Sequence, residues 1–324
     1  MEQEKIIQQK RPMIVLTGPT AVGKTKLSIA LAKTVNGEII SADSMQVYRH
    51  MDIGSAKITP EEMQGVPHHM IDILEPREPF NVVMFKQKCE ECLKEIYGRG
   101  HIPIVAGGTG FYIQALLRDI DFTENEEDTD YRTYLETLAK EKGPEHLHDL
   151  LTKIDPVSAE AIHTNNIKRT VRALEFYHLT GEPISKHNDK EKQKESAYQS
   201  CYFVLNDKRD RLYKRIEQRV DEMMVQGLAE EVKSLKESGC SRGMVSMQGL
   251  GYKELLAWLD GECSLEEAVA LIKLNTRHFA KRQLTWFGRE KDVIWINKNE
   301  FDYDEERILT FMLSKLTQKK IWNG

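Results

Sequence analysis

Over the first 120 residues, short apolar runs alternate with stretches of helical period. Residues 13–18 (MIVLTG) predict a buried strand, and residues 24–37 (KTKLSIALAKTVNG) a helix closed by Gly37. Residues 37–43 (GEIISAD) predict a second strand. Residues 102–110 (IPIVAGGTG) predict a third, running into a glycine turn and the helix FYIQALLRD. Strands alternating with helices need crossover connections, which implies a mostly parallel sheet flanked by helices. Sites in such sheets gather at the carboxyl ends of the strands. Three features fall there: the loop after Leu16, Asp43, and the turn over 107–110.

The pattern changes near Asp121. From there the chain reads as charged helices interrupted by GP, DP and GEP turns, ending in the polar link NDKEKQKESAYQS. This predicts an inserted all-helical subdomain over 121–200, hinged near Asp121 and Ser200, within an α/β core made of 1–120 and 201–324. CYFVLN (201–206) predicts a strand rejoining the sheet, and DVIWIN (292–297) a last one. Between them lie DRLYKRIEQRVDEMMVQG, LAEEVKSLKESG, GYKELLAWLDG and a long helix through SLEEAVALIKLNTRHFAKRQLTWFG.

Composition adds limits. Of 324 residues, 40% are hydrophobic and 30% charged, as in ordinary soluble globular proteins. No apolar run approaches membrane-spanning length, and the polar start MEQEKIIQQKRP lacks a signal-peptide core, so a cytoplasmic protein with no membrane association is expected. Five cysteines make no disulfide framework; Cys89 and Cys92 lie in an amphipathic stretch and read as helix-face thiols. His68 and His69 point to different faces without a Cys or His partner at metal spacing, and read as turn or structural residues. The net charge of −5 argues mildly against a nucleic-acid partner. Local charge matters more. Basic LIKLNTRHFAKRQLTWFGREK and acidic ENEEDTD are separate blocks.

The strongest motif is Gly18-Pro19-Thr20-Ala21-Val22-Gly23-Lys24-Thr25, a complete G-x-x-x-x-G-K-[ST] with a strand before and a helix after. Its amides and the helix dipole favour phosphate; Lys24 adds charge, and the Thr25 hydroxyl is placed to ligate Mg²⁺. The expected fold is therefore P-loop NTPase-like. The loop does not name the reaction. The third strand ends in glycines where a kinase usually carries a Mg²⁺-holding aspartate, and the acidic strand end is Asp43. A nucleotide-binding, ATP-binding kinase of a small metabolite and a transferase whose leaving group is diphosphate both stay open. A non-catalytic RNA-binding protein with a structural anion site is a third reading.

Read in order, the motifs resemble the tRNA dimethylallyltransferase (tRNA isopentenyltransferase) family: GPTAVGKT (18–25), ISADSMQVYRHMDIGSAK (40–57), VPHHMIDILEP (66–76), FKQKCEECLKEI (85–96, loosely) and IPIVAGGTGFYIQALL (102–117). IDPVSAEAIHTNNIKRTVRALEFYHLTGEPIS (154–185), LYKRIEQRVDEMMVQGLAEEV (212–232), MQGLGYKE (247–254) and NTRHFAKRQLTWF (275–287) continue it. Asn165-Asn166 departs from the Asn-Asp frequent in the family, and the zinc-finger extension of eukaryotic members is missing, which resembles the bacterial form.

The resemblance implies transfer of a dimethylallyl group from dimethylallyl diphosphate to N6 of adenosine 37 in a tRNA anticodon stem-loop, with adenosines at 36, 37 and 38, by a monomer using Mg²⁺. For that reaction the residues themselves suggest catalytic roles for Asp43, Thr109 and Lys24, and the resemblance implies a diphosphate clamp from Arg215 and Arg219 beside residues 18–25. Asp43 is the candidate base, on the expectation that its strand end lies next to the loop. Arg211, at the same spacing of four, reads as a solvated charge. The implied tRNA contacts are Asp43, Ser44, Met45, Gln46, Thr109, Asn166, Ile167, Lys168, Arg169, Thr170, Gln248, Gly249, Lys281, Arg282 and Gln283. Trp286 and Phe287 read as core residues rather than a stacking platform.

Overall fold

Apolar runs of five to eight residues become five of the strands of one six-stranded sheet in the computed structural model, which describes residues 10–120, 122 and 129–324. They are β1 (Pro12–Thr17), β2 (Gly37–Ala42), β3 (His68–His69), β4 (Ile102–Gly107), β5 (Gln199–Asn206) and β6 (Val293–Asn297). The order is β3-β2-β4-β1-β5-β6, and every pairing is parallel. The two-residue β3 at the edge consists of the paired histidines, which pair with Ile39 and Ile40.

A parallel sheet is covered on both faces, which is why its strands read as continuous apolar runs. Alternate side chains go to opposite layers. Met13, Val15, Ile40, Val105, Tyr202 and Val204 pack under the helices Val82–Gly98, Tyr252–Leu259 and Leu265–Phe287. Ile14, Leu16, Ile39, Ile104, Phe203 and Leu205 pack under the helices Lys24–Val35 and Glu305–Gln318. Truncating a fully buried strand residue such as Leu16 to alanine would cost about 2–5 kcal/mol. Cys89 is buried and Cys92 half-buried on the helix Val82–Gly98, both as free thiols.

At the amino-terminal end of the sheet, Glu38 of β2 is buried. It accepts hydrogen bonds from Arg99 Nε (2.8 Å) and Nη2 (2.9 Å), and meets His69 Nε2 and His101 Nδ1, each at 2.6 Å. Arg99 above all, with both histidines, holds this carboxyl down to about 2 against the burial that would raise it. His69 is thereby a structural residue, and His68 Nδ1 meets Val66 O at 2.8 Å.

The contacts divide the chain into two compact units, residues 1–117 with 197–324, and residues 118–196. The second is all-helical, with its own core of Leu135, Leu138, Leu147, Leu151, Val171 and Leu174. Gly143, at φ 85°, breaks its first helical stretch before Pro144. Buried Asp155 accepts from the amides and hydroxyls of both Ser158 and Ser185, tying two helices together. Ser200 lies within β5, paired with Met13. Asp121 and most of the acidic block, 124–128, lie outside the described residues.

One expectation needs correction. The end of β2 is not adjacent to the loop that follows β1, because β4 is inserted between them. The strand order is set by where the crossovers pack, which periodicity does not encode. Asp43 and the loop are therefore two strand spacings apart, roughly 10 Å, with the turn after β4 between them.

Candidate functional site

The loop over residues 18–25 leaves β1 and enters the helix Lys24–Val35. Gly23 caps that helix at φ 98°, a left-handed conformation that glycine adopts without strain. No acidic residue stands in the first helical turn, so the dipole's positive end is not offset. Lys24 Nζ donates to Gly18 O (3.0 Å) and Pro19 O (2.9 Å). Its pKa is pushed down to about 8, by burial first and then by Arg219, with Asp43 partly offsetting both.

Arg215 and Arg219 reach the loop from the helix Arg209–Val225. Its buried stripe of Leu212, Ile216 and Val220 fixes which face they occupy. Both line a cavity of about 510 Å³ with Gly23, Lys24 and Thr25. Neither makes a hydrogen bond or ion pair among the described residues. Burial, then Arg215, lowers the pKa of Arg219. Arg211, in the same row, is engaged: its guanidinium lies 3.9 Å from the Tyr303 ring centroid and its Nε 3.4 Å from Asp207 Oδ2.

A fourth cation was not foreseen. Lys298, just past β6, is buried, and its Nζ donates to Val22 O at 3.4 Å. A Cβ on Gly23 would lie 3.2 Å from that nitrogen and 3.5 Å from Arg215 Nη2. Burial, then Arg215, lowers the Lys298 pKa. Four cations thus surround one loop; none forms an ion pair among the described residues, and Arg215 and Arg219 make no hydrogen bond there either.

A second cavity, of about 560 Å³, opens over the ends of β2 and β4. Lys24, Thr25, Asp43, Thr109 and Arg219 line it, with apolar walls from Ile58, Ile71, Ile216, Val220 and Met223. Asp43 Oδ1 accepts from the Met45 amide at 2.8 Å. The Thr109 amide donates to Ala42 O at 3.2 Å, which ties the turn after β4 to the residue before Asp43.

Ser44, Met45, Gln46, Gln248, Gly249, Arg282 and Gln283 also face this cavity. Gln46 accepts from Ser41 Oγ (2.8 Å) and donates to Ala56 O (3.3 Å), so it braces its own loop. Gln248 donates to Arg242 O. The neighbouring segment is held by Glu231, which accepts from the amides of Asp52 (2.8 Å), Ile53 (2.8 Å) and Gly54 (3.1 Å) and from Tyr252 OH (2.8 Å). Lys281 is exposed but outside the cavity lining. Phe287 is fully buried, and half-buried Trp286 packs edge-on to Phe111. Phe279 was missed: it is half-buried, lines the cavity, and carries the Arg282 guanidinium 5.8 Å from its ring centroid. Its position four residues before Gln283, on one helical face, was the available signal.

In the helical unit, Asn166 caps the helix Ile167–Thr180 by accepting from the Arg169 amide. Lys168 and Arg169 are exposed there and Ile167 packs on the unit's core. Thr170 is buried, its hydroxyl donating to Asn166 O at 3.2 Å, so the exposed cations and not Thr170 are presented by this turn.

Residues 46–290 match the family profile described as IPP transferase, and residues 12–78 match one described as isopentenyl transferase. The chain is 64% identical over 311 residues to a tRNA dimethylallyltransferase of Lachnoclostridium phytofermentans, covering 96% of this chain and 99% of that one. The crystal structure of the full-length tRNA isopentenylpyrophosphate transferase from Bacillus halodurans is similar at 46% identity and TM-score 0.72, covering 96% of this chain and 98% of that one. A eukaryotic dimethylallyltransferase solved acting on tRNA is similar at 31% identity and TM-score 0.74, covering 89% of this chain and 74% of that one.

Proposed function

The chain belongs to the IPP transferase family and is a prenyltransferase acting on tRNA, and from that premise we propose how its residues divide the reaction. The donor is dimethylallyl diphosphate and the acceptor is N6 of adenosine 37 in the anticodon loop. The observation that carries this reading is the set of cations around residues 18–25, in which Arg215 and Arg219 lack any anionic partner among the described residues. A cation cluster that depresses its own lysine and arginine is unfavourable when empty, and is relieved by a polyanion.

In the transition state the C1–O bond of the donor breaks and its electron pair leaves with diphosphate. Positive charge grows on the allylic carbon. The loop amides, Lys24, Arg215 and Arg219 lie where the departing negative charge develops, and Lys298 adds field from beneath. The N6 lone pair forms the new bond to C1. The amine then carries an excess proton, which Asp43 accepts through Oδ2, since Oδ1 already holds the Met45 amide. Thr109, tied to Ala42, orients the nucleotide beside Asp43. The apolar wall of Ile58, Ile71, Val220 and Met223 suits a five-carbon chain and excludes water from the cation.

The oxygen donors fit Mg²⁺, which takes one or two protein oxygens together with substrate phosphates. Thr25 would hold it by a hydroxyl that has no hydrogen bond among the described residues, and Mg²⁺ would neutralise charge on the diphosphate. The helical unit would meet the anticodon stem through Lys168 and Arg169, by charge more than by sequence. Exposed Lys281 and Arg282 of the core offer charge to tRNA phosphates, and the enzyme works as a cytoplasmic monomer. The test is incubation with dimethylallyl diphosphate, Mg²⁺ and unmodified tRNA, then digestion and mass analysis. Prenylated adenosine at position 37 is expected; transfer of phosphate from ATP with no such product would overturn the reading.

A further inference from the structure

The parallel ladder between β1 and β4 ends at the pair Thr17 and Gly107, where Thr17 Oγ1 donates to Gly107 O at 2.6 Å. Beyond that rung the two strands separate into the diphosphate loop and the Thr109 turn, and among the described residues no backbone hydrogen bond joins them. Gln283 fills the gap. Its Oε1 accepts from the Thr20 amide at 2.9 Å, and its Nε2 donates to Gly108 O at 3.0 Å.

We propose that Gln283 is a positioning residue that sets the separation between the diphosphate loop and the Gly108–Thr109 turn, and so between leaving group and acceptor. The inference rests on the roles proposed above for residues 18–25 and Thr109. Three observations carry it. Gln283 is only 6% exposed, and its amide is used at both ends by the protein, in place of the tRNA contact expected from the resemblance. Its neighbours on the inner helical face, Ala280 and Phe287, are fully buried, so the helix Leu265–Phe287 holds the amide in place. A Cβ on Gly108 would lie 2.2 Å from Gln283 Nε2, so a side chain there must displace that amide. The requirement is chemical as well as steric: one end accepts and the other donates, which a side-chain amide of this length supplies.

The tests are Gln283→Ala and Gln283→Glu. Glutamate keeps the acceptor for Thr20 and sets a carboxylate oxygen against Gly108 O, so it deletes one bond without shortening the side chain. Measured quantities are kcat and KM for each substrate, affinity for inorganic pyrophosphate by calorimetry, affinity for an anticodon stem-loop, and the melting temperature. A misplacement near 1 Å costs up to about 10²-fold, so kcat should fall roughly 10- to 100-fold for alanine and less for glutamate. Pyrophosphate affinity should weaken severalfold while stem-loop affinity stays unchanged. Gly108→Ala, which pushes the same amide from the other side, should reproduce the kcat loss. Weakened stem-loop affinity with kcat and pyrophosphate binding intact would overturn the proposal, as would wild-type kinetics in both Gln283 variants. Should alanine fail to fold, the glutamate and Gly108 variants decide. Failure of the wild-type protein to bind pyrophosphate would instead sink the reading of the loop itself.

Discussion

Arg219 acts on Lys24: after burial, its charge is the largest influence lowering the Lys24 pKa, to about 8, and neither side chain forms an ion pair among the described residues. Binding of an anion needs the protonated lysine. As pH rises through about 8, Lys24 in the free enzyme loses its proton, so kcat/KM for dimethylallyl diphosphate should fall with an apparent pKa near that value. In Arg219→Met the repulsion is gone and the fall should move to higher pH, with weaker diphosphate binding throughout. A profile flat to pH 9.5 in the parent enzyme would contradict this.

Asp43 has one carboxylate oxygen bonded in the turn and lines the cavity. Asn at this position keeps an acceptor for the Met45 amide but cannot take a proton. Turnover of Asp43→Asn and Asp43→Ala should drop by about 10²–10⁴-fold, while calorimetry still detects pyrophosphate binding. Turnover close to that of the parent would remove Asp43 as the base.

Lys298 and Arg211 stand near the same loop with different engagements. Lys298→Met should weaken pyrophosphate binding by on the order of 1 kcal/mol, roughly fivefold, since a partly shielded charge a few ångströms away is lost. Its melting temperature should hold or rise, because methionine removes a desolvated charge from the interior. Arg211→Ala should change affinity by less than about twofold, since its guanidinium is already spent on Tyr303 and Asp207 in an exposed setting. The reverse ranking in a calorimetric comparison would show that the cluster has been misread.

Glu38 has its folded-state pKa lowered to about 2 by Arg99 and the two histidines. A carboxylate depressed on folding contributes stability that is fully present above its unfolded value, near 4.5, and is lost as pH falls through about 2. Glu38→Gln should therefore cost about 2 kcal/mol at pH 7 and a smaller amount at pH 3, with prenyl transfer by the folded fraction unaffected at the opposite end of the sheet. Denaturant titrations at the two pH values measure the difference.

Much of the fold and part of the site can be read before any coordinates. The loop over 18–25 carries its own geometry in its glycines, and Asp43 and Thr109 are found because strand ends converge in parallel sheets. The insertion of β4 between β1 and β2 is not encoded in periodicity, which reports faces and not neighbours. β3 is two residues long and has no period at all. Lys298 becomes part of the site only through the pairing of β6 with β5, a long-range relationship. The commitment of Gln283 is likewise invisible in a motif, since AKRQLTWF contains it beside exposed cations without distinguishing inward from outward.

Three successive amides at Asp52, Ile53 and Gly54 form a nest of the kind that captures free oxyanions. Here the seat is already taken by the protein's own Glu231, fastened from the far side by Tyr252. Sulfate or phosphate soaked into crystals will thus find this decoy closed. Freeing the decoy by Glu231→Ala would open a competing anion seat and loosen the segment that Glu231 now holds.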